Sequence, residues 1–301
     1  MSYAPNVKRS CPSCRADLPL AVASVNAASV VRGNPAYRPD ALDVLGLPPG
    51  ASSAIVKCSQ CGFVYALDDP DATFLSRLYG EAIANPEAMS GAPLWIAHQL
   101  ELASSLLARV ADREAIRILD YGCGDGTVVK VLAASGISCV GFEPYPRTAG
   151  PDVLSSRDDL AARAPFDAVL LSDVLEHVSH PGDVLAECHR LLSPGGWLGV
   201  RVPDFSDARL RGILLDLSAG RVVTPELNPW EHLNYFSPST LAAMLARAGF
   251  AADPEPARAF GFRAGERGLR RLRNTLLSVA RLLRFAASPA PATTTIFARR
   301  A

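Results

Sequence analysis

The sequence predicts an α/β fold built on a mostly parallel sheet and preceded by a small cysteine-rich unit. Three observations support this. The apolar run at residues 116–119 ends in Asp120, a glycine-rich turn follows, and a helical pattern comes next. Further apolar strands and helical segments alternate as far as residue 202. Two C-x-x-C pairs lie upstream, at residues 11–14 and 58–61.

Length and charge restrict the classes of protein to consider. The 301 residues suffice for one α/β domain and a smaller appendage. Lys plus Arg and Asp plus Glu both total 30, so we expect no general nucleic-acid binding, which normally requires a basic excess. Residues 1–9 lack a signal-peptide core. The apolar stretch 18–31 is shorter than the roughly 20 residues of a membrane span, so we expect a cytoplasmic protein without a transmembrane segment.

Residues 1–70 are predicted to form a zinc-ribbon-like domain. Four thiolates from two tight turns, supplied by Cys11, Cys14, Cys58 and Cys61, can complete a tetrahedral structural Zn²⁺ site. In a cytoplasmic chain this is favoured over two disulfides. The alternative is four unrelated buried or redox thiols. The segment between the pairs, residues 15–57, contains several Pro and Gly residues and is predicted as an inserted, turn-rich excursion.

Residues 71–112 are predicted to form a helical connector. A helix over about 94–109 carries an apolar stripe. Its His98 either covers a ligand-binding cleft or packs on the core.

Residues 113–301 are predicted to form the α/β domain itself. A helical insertion is expected at 210–220, and a helix begins at the Ser237-Pro238 capping sequence and ends at Gly249. Strands are expected near 116–121, 138–143, 152–155, 167–172, 196–202 and 293–299.

A basic helix is predicted over residues 263–284. It contains seven arginines and one acid, Glu266, together with an apolar face of leucines. One interpretation is a clamp for an anionic group of a ligand, or a peripheral or partner surface. The alternative is a solvated helix with an arginine-rich exterior.

The glycine turn reads G-x-G-x-G at Gly122, Gly124 and Gly126. Dinucleotide binders have G-x-G-x-x-G, which disfavours a nicotinamide dehydrogenase. Asp120 and Asp125 crowd the position where a pyrophosphate would bring negative charge, so a cationic ligand suits the turn better.

The segment from Asp120 to Gly126 resembles motif I of the class I S-adenosylmethionine-dependent methyltransferases. Three further segments match that family in order, at residues 140–144, 166–178 and 191–198. The resemblance covers about residues 93–301. It implies a Rossmann-like fold with a seven-stranded, mostly parallel sheet. An N-terminal zinc-ribbon-like region resembles an arrangement found in some bacterial sugar and natural-product methyltransferases.

The same resemblance implies S-adenosylmethionine as the cofactor. Glu143 would accept hydrogen bonds from the two ribose hydroxyls, and Asp120 would orient the ammonium of the methionine moiety. Gly122 and Gly124 would let that moiety lie on the backbone. The remaining predicted cofactor-binding residues are Cys123, Pro144, Asp158, Ser172, Asp173 and Val174. In place of Asp158, Asp159 or Ser156 could contact the adenine, and the alternative is that Asp158 is a plain surface acid.

The predicted catalytic residues are His177 and His232, either of which could serve as a general base toward a small polar acceptor. The acceptor is interpreted as a sugar or natural product. Sugar C-methyltransferases carry Tyr-His-Glu-His, whereas residues 229–232 read Pro-Trp-Glu-His, so O-methylation is favoured. The alternatives are a nucleotide-sugar C-methyltransferase and a non-catalytic zinc-ribbon interaction protein with a vestigial methyltransferase fold. The acceptor's identity and the oligomeric state stay open.

Overall fold

The residues that the structure describes form two β-sheets, one with four strands and one with seven. The structure is a computed structural model that describes residues 8–83, 92–110, 112, 115–145, 152–220, 227–253 and 293–301. The predicted basic helix at 263–284 lies outside these residues. Contacts divide the chain into two units. The first comprises Met1–Gly91, Leu175–Gly182 and Pro203–Leu241, and the second comprises Ala92–Val174, Asp183–Val202 and Ala242–Ala301.

The first unit contains the four-stranded sheet, ordered β1-β2-β3-β9. Every neighbouring pair in it is antiparallel. Its strands are β1 (Pro19–Asn26), β2 (Ser52–Cys58), β3 (Val64–Ala66) and β9 (Asn234–Tyr235). The predicted zinc-ribbon-like domain falls within this unit. The segments 175–182 and 203–241, which the sequence analysis assigned to the α/β domain, also belong to it.

Helices of the first unit pack on an apolar core. They are α1 (Ala27–Gly33), α2 (Ala41–Leu45), α3 (Ala72–Arg77), a π-helical turn (Leu78–Ala82) and α8 (Asp207–Ser218). The Asn26 side chain caps α1 by accepting hydrogen bonds from two backbone N–H groups. The stretch 15–57 is therefore more regular than the predicted turn-rich excursion. Its Val25, Val30, Leu45 and Ile55 are buried in one core, and this burial orders the segments that lie between the Pro and Gly turns.

The second unit contains the seven-stranded sheet, ordered β10-β11-β8-β7-β4-β5-β6. The pairs among β4 to β8 are parallel, whereas β10 and β11 pair antiparallel. The strands are β4 (Arg117–Tyr121), β5 (Ser138–Phe142), β6 (Val153–Leu154), β7 (Phe166–Ser172), β8 (Leu192–Pro203), β10 (Phe250–Ala252) and β11 (Thr293–Arg300). The predicted α/β fold with a mostly parallel sheet is confirmed.

The following helices each precede or follow a strand of this sheet in the sequence. They are α4 (Ala92–Arg109), α5 (Thr127–Ala134), α6 (Arg157–Arg163), α7 (Pro181–Leu191) and α9 (Pro238–Arg247). Helix α4 packs Leu102 and Leu106 against Gly199 of β8, where a Cβ would lie 2.8 Å from Leu106 Cδ1. Among the described residues, no helix combines the length and apolar character required to cross a bilayer.

The strand order reverses at β4, which lies between β5 and β7. Both neighbours run parallel to β4, so the carboxyl ends of all three strands share one edge of the sheet. Open α/β sheets bind their ligands in the crevice at such a point.

Candidate functional site

The glycine turn follows the carboxyl end of β4. Gly122, Gly124 and Gly126 all have positive φ, at +79°, +55° and +72°. The Gly122 N–H donates to the carbonyl oxygen of Phe142 at 2.7 Å. A Cβ on Gly122 would lie 2.5 Å from Cγ2 of Val174, which follows β7. This packing leaves no room for a side chain at position 122. It also places two of the predicted cofactor residues, Gly122 and Val174, next to each other.

Glu143 follows the carboxyl end of β5 and reaches the same turn. Its Oε2 accepts a hydrogen bond from the Gly124 N–H at 3.1 Å, and its Oε1 accepts one from the Tyr145 N–H at 3.1 Å. Burial raises the pKa of Glu143, and these two N–H groups oppose the rise. A carboxylate is thus held beside the glycine backbone, where it can accept further hydrogen bonds from a ligand.

Asp120 lies at the end of β4 and is buried, with 4% of its surface exposed. Burial raises its pKa to about 7, and the carboxylates of Glu143 and Asp125 add to the rise. Negative charge therefore accumulates at this edge of the sheet. A cationic group bound there would offset the repulsion between these carboxylates and the desolvation cost of the Asp120 carboxylate.

A charged network lies at the carboxyl end of β7. Asp173 has a positive φ of 57°, and its carboxylate pairs with the guanidinium of the buried Arg201. Ser172 joins this network, since its hydroxyl donates to Asp173 at 3.1 Å and accepts from Arg201 Nε at 3.2 Å. Arg201 was not among the predicted site residues. It also matters for His98, whose pKa is lowered by burial and by the charge of Arg201.

The other predicted cofactor residues differ in their surroundings. Cys123 is buried, and its Sγ lies 2.6 Å from the position of a Cβ on Gly141. Pro144 is exposed. Asp158 is exposed in the first turn of α6, which Ser156 caps.

The two predicted catalytic histidines lie together in the first unit. The ring centroids of His177 and His232 are 4.7 Å apart, with the ring planes at 76°. The Nδ1 atom of His177 lies 3.0 Å from the carbonyl oxygen of Glu231 and 3.1 Å from the Tyr79 hydroxyl. Burial, followed by the neighbouring His232, lowers the pKa of His177 well below its usual value.

Glu231 anchors the loop that carries His232. Its carboxylate is buried and accepts hydrogen bonds from the Tyr37 hydroxyl at 3.2 Å and from Asn228 Nδ2 at 3.1 Å. Asn228 Nδ2 also donates to the Tyr37 hydroxyl at 2.8 Å. Sequence reasoning missed both Tyr37 and Tyr79. Tyr37 is 194 residues from Glu231 in the sequence and Tyr79 is 98 residues from His177, and no local pattern reports such distant contacts.

Arg9 links the cysteine-rich segment to both histidine segments. Its guanidinium is buried and donates to the carbonyl oxygens of Ser179 at 2.6 Å and Leu233 at 2.8 Å, and to Asn234 Oδ1 at 2.9 Å. Burial lowers the pKa of Arg9 to about 10, and the nearby Asp69 opposes the fall. The arginine therefore remains charged at neutral pH and ties three strand and loop segments together.

The four predicted metal-ligating cysteines converge in the first unit, with their Sγ atoms within 4.8 Å of one another. Cys11 Sγ lies 3.6 Å from Cys61 Sγ, and Cys14 Sγ lies 3.6 Å from Cys58 Sγ. A tetrahedron of sulfurs around zinc, with Zn–S bonds of about 2.3 Å, has edges of about 3.8 Å. A disulfide would require about 2.05 Å. The donor set and spacing therefore fit a tetrahedral ion.

The two C-x-x-C turns have the same backbone pattern. In the first, the Cys11 N–H donates to Ala16 O and the Arg15 N–H donates to Cys11 O. In the second, the Cys58 N–H bonds Phe63 O in the same way, and the Gly62 N–H bonds Cys58 O. Burial acts to raise the pKa of Cys58, but N–H groups of the turn outweigh it and lower the value to about 7. A thiolate, the form that binds metals, is favoured there.

The model of the family described as a methyltransferase domain matches residues 95–255, just over half of the chain. This match includes the glycine turn, Glu143 and both histidines. The chain belongs to this methyltransferase family.

Curated relatives of this methyltransferase match it over shorter stretches. A protein of Thiobacillus denitrificans named ubiquinone biosynthesis O-methyltransferase is 29% identical over 150 residues, covering 44% of this chain and 63% of that protein. A protein of the same name from Burkholderia cenocepacia is 35% identical over 97 residues, covering 27% of this chain and 42% of that protein. The chain thus spans less than two thirds of the length of these relatives.

Solved structures share the fold of this methyltransferase. The plantazolicin methyltransferase BamL, in complex with a triazolic desmethylPZN analog and SAH, aligns with a TM-score of 0.50 at 13% identity. The alignment covers 71% of this chain and 87% of that one. The class I S-adenosylmethionine-dependent methyltransferase fold is confirmed.

Proposed function

We propose that this protein transfers the methyl group of S-adenosylmethionine to a hydroxyl oxygen of a small acceptor. The observation that carries the proposal is the position of Glu143, which follows β5 and contacts the Gly124 N–H of the turn after β4. Membership of the methyltransferase family supports the reaction class. The O-methyltransferase names of the relatives support oxygen as the acceptor atom.

The residues of the glycine turn fit this cofactor. Glu143 would bind the ribose hydroxyls, and a charged acceptor contributes about 1.5–3 kcal/mol per hydrogen bond. Asp120 would hold the ammonium group, which supplies the cation that its buried carboxylate favours. The backbone of Gly122 and Gly124 would support the methionine moiety. When bound, S-adenosylmethionine supplies an electrophilic methyl group on a sulfonium.

Further residues of the second unit would complete the cofactor site. Ser172 ends β7 and Val174 follows it, at the same edge of the sheet as the turn, and Asp173 between them pairs with Arg201. Cys123 and Pro144 would contact the cofactor from the two neighbouring turns. Asp158, which is exposed in the first turn of α6, would contact the adenine.

His177 and His232 are proposed to act on the acceptor. Two imidazoles in edge-to-face contact, with one ring fixed by a backbone carbonyl, can orient a hydroxyl group and take up its proton. The acceptor class suggested by the sequence, a sugar or natural product, remains part of the proposal, as does an anionic group on it. A nucleotide-sugar C-methyltransferase is a second candidate, because the Glu231–His232 pair of that class is present and Glu231 is held by Tyr37 and Asn228.

The cysteine cluster is proposed to hold a structural Zn²⁺. Four sulfur ligands close the coordination sphere and leave no position for substrate. The ion would support the folding of the small sheet that it adjoins, as structural zinc does in small domains.

Calorimetry with S-adenosylhomocysteine tests the cofactor assignment. Glu143→Ala should weaken binding by roughly 2–4 kcal/mol, because two hydrogen bonds to a charged acceptor are lost. Asp207→Ala, which removes an exposed acid at the start of α8 in the first unit, is the matched control and should bind like wild type. Wild-type protein that binds no S-adenosylhomocysteine at millimolar concentration would refute the assignment.

Turnover with isotopically labelled S-adenosylmethionine tests the acceptor atom. The panel should contain phenolic hydroxyls, sugar hydroxyls and nucleotide-bound keto sugars, with the product bond identified by mass spectrometry. Label on oxygen supports the proposal, label on carbon favours the second candidate, and label on neither contradicts both. His177→Ala and His232→Ala should each lower kcat about 10²–10⁴-fold at nearly unchanged cofactor affinity.

A further inference from the structure

A second group of metal-ligating side chains lies in the first unit, apart from the four cysteines. It consists of Glu176, His177 and His232. One carboxylate oxygen and one ring nitrogen from each histidine lie within 4.8 Å of one another. Ligand atoms bound to one ion at about 2.0–2.2 Å are separated by about 3–4 Å. Rotamer adjustments of less than about 2 Å would therefore bring all three onto a common ion.

The backbone fixes this group from both sides. The Leu233 N–H donates to the carbonyl oxygen of Glu176 at 2.6 Å, so the segment with Glu176 and His177 is bonded directly to the loop with His232. Arg9 then crosslinks the same two segments through Ser179 O and Leu233 O. Hydrogen bonds thus fix the backbone segments that carry the three donors. A metal site needs such a rigid backbone to fix its geometry.

The environment of His177 sets which ring nitrogen is available. A carbonyl oxygen only accepts hydrogen bonds, so the contact with Glu231 O assigns the proton to Nδ1 of His177. Nε2 then carries the lone pair that a metal ion requires. Histidines that ligate metals almost always donate their other ring N–H to a carbonyl or carboxylate, as His177 does here.

Burial distinguishes this group from a surface cluster. Glu176 is 1% exposed and His232 is 8% exposed, whereas His177 is half-buried. Carboxylates are rarely buried to this extent unless they are paired or bind metals. The half-buried His177 leaves a route by which an ion and its exchangeable ligand could enter.

We propose that Glu176, His177 and His232 bind a divalent transition-metal ion. Two imidazoles with one carboxylate suit Zn²⁺, Fe²⁺, Co²⁺ or Mn²⁺ better than Mg²⁺ or Ca²⁺, which prefer oxygen donors alone. Three protein ligands leave coordination positions open. This inference rests on the proposed function in one respect, because the ligand expected there is a hydroxyl oxygen of the acceptor, which the ion would orient and acidify. In the metal-bound form the two imidazoles would be ligands of the ion in place of the general base, and the proton of the hydroxyl would pass to solvent water.

Metal titration of the full-length, zinc-loaded protein tests the site. Zinc-loaded protein is titrated with Co²⁺ in a calorimeter, and retained zinc is measured afterwards by elemental analysis. Wild type should bind about one Co²⁺ per chain while keeping the zinc of the cysteines. Glu176→Gln and His232→Ala should weaken Co²⁺ binding by more than about tenfold, because loss of outer-shell partners alone costs about 10–100-fold. His180→Ala, an exposed histidine four residues from Glu176, is the matched control and should bind like wild type.

The outcomes separate this inference from the proposed function. No Co²⁺ uptake by wild type, or equal uptake by folded variants, overturns the metal site even if methyl transfer is observed. Uptake by wild type and loss in the variants support the site even if no acceptor in the panel is methylated. Thiolate-to-cobalt charge-transfer absorption with release of zinc would show that Co²⁺ entered the cysteine cluster, and uptake explained wholly by that exchange also overturns the proposal. Should Glu176→Gln fail to fold by circular dichroism, His232→Ala decides the result.

Discussion

Replacing Gly122 by alanine tests the packing between the glycine turn and the segment after β7. The glycine has φ of +79°, and an added Cβ would lie 2.5 Å from Val174 Cγ2 and 3.4 Å from Val174 Cγ1. Val174 is buried, and its branched side chain has few alternative rotamers. The new methyl group would therefore displace either the turn or the segment that contains Val174.

Two separable costs determine the size of the effect. An alanine in the left-handed backbone region lowers the free energy of unfolding by about 1–2 kcal/mol. Overpacking of a close-packed contact adds about 1–3 kcal/mol. Gly136→Ala supplies the first cost alone, because Gly136 has φ of +80° with nothing within 4 Å of its Cβ position. We expect Gly122→Ala to lower the free energy of unfolding by about 2–5 kcal/mol, and Gly136→Ala by about 1–2 kcal/mol.

Urea unfolding of the cofactor-free protein measures both costs, and Val174→Ala completes a double-mutant cycle. Removing the two methyl groups of Val174 should make room for the new Cβ, so the double variant should be more stable than additivity predicts by about 1–3 kcal/mol. The reasoning is refuted if Gly122→Ala costs no more than Gly136→Ala, or if the cycle is additive. The first result would mean that the contact with Val174 is loose in solution.

Two further predictions concern charge and metal. Asp120 has a pKa of about 7 in the folded protein, raised from about 3.9 in the unfolded chain. Because the folded state favours the protonated carboxyl, ionisation of Asp120 destabilises the cofactor-free fold as the pH rises from about 4 to about 7. Asp120→Asn should therefore raise the free energy of unfolding more at pH 8 than at pH 5, and an unchanged pH dependence of stability would contradict this. We also expect protonation of Asp120 to weaken S-adenosylhomocysteine binding below pH 7, and Asp120→Asn should abolish that pH dependence. Cys58→Ser should remove about one zinc per chain and lower Tm, whereas Cys188→Ala should keep its zinc; equal zinc in both variants would exclude the cysteine site.

The elements around the cofactor turn were predictable because their signals are local. Strands β4, β5 and β7 are short apolar runs that end in acidic or glycine-rich turns, and each prediction agrees with the structure to within about two residues. The pattern also placed the glycine turn and Glu143 at neighbouring strand ends. Their contact through the Gly124 N–H then follows from the parallel order of the sheet.

The partners of the histidines were not predictable from the sequence, because their contacts join distant segments. Tyr37 and Tyr79 lie in a stretch interpreted as loop and connector, and only the tertiary fold brings them to residues 228–232 and 177. The sequence does contain a signal that could have identified Arg201. Arg201 is a charged residue within the apolar strand β8, and a buried arginine requires an acidic partner, which here is Asp173.

Hydrogen bonds of the first unit connect the cysteine-rich segment to the two histidines that are proposed to act on the acceptor. Arg9 is two residues from Cys11, and its buried guanidinium holds the carbonyl oxygens of Ser179 and Leu233, which flank the two histidines. The turn after Cys58 leads into β3, and β3 pairs with β9, which begins two residues after His232. A tetrahedral ion that fixes the two C-x-x-C turns would therefore stabilise both ends of the framework behind the histidines. A metal ion held by the four cysteines would thus contribute to the precision of the proposed acceptor site without contacting the acceptor.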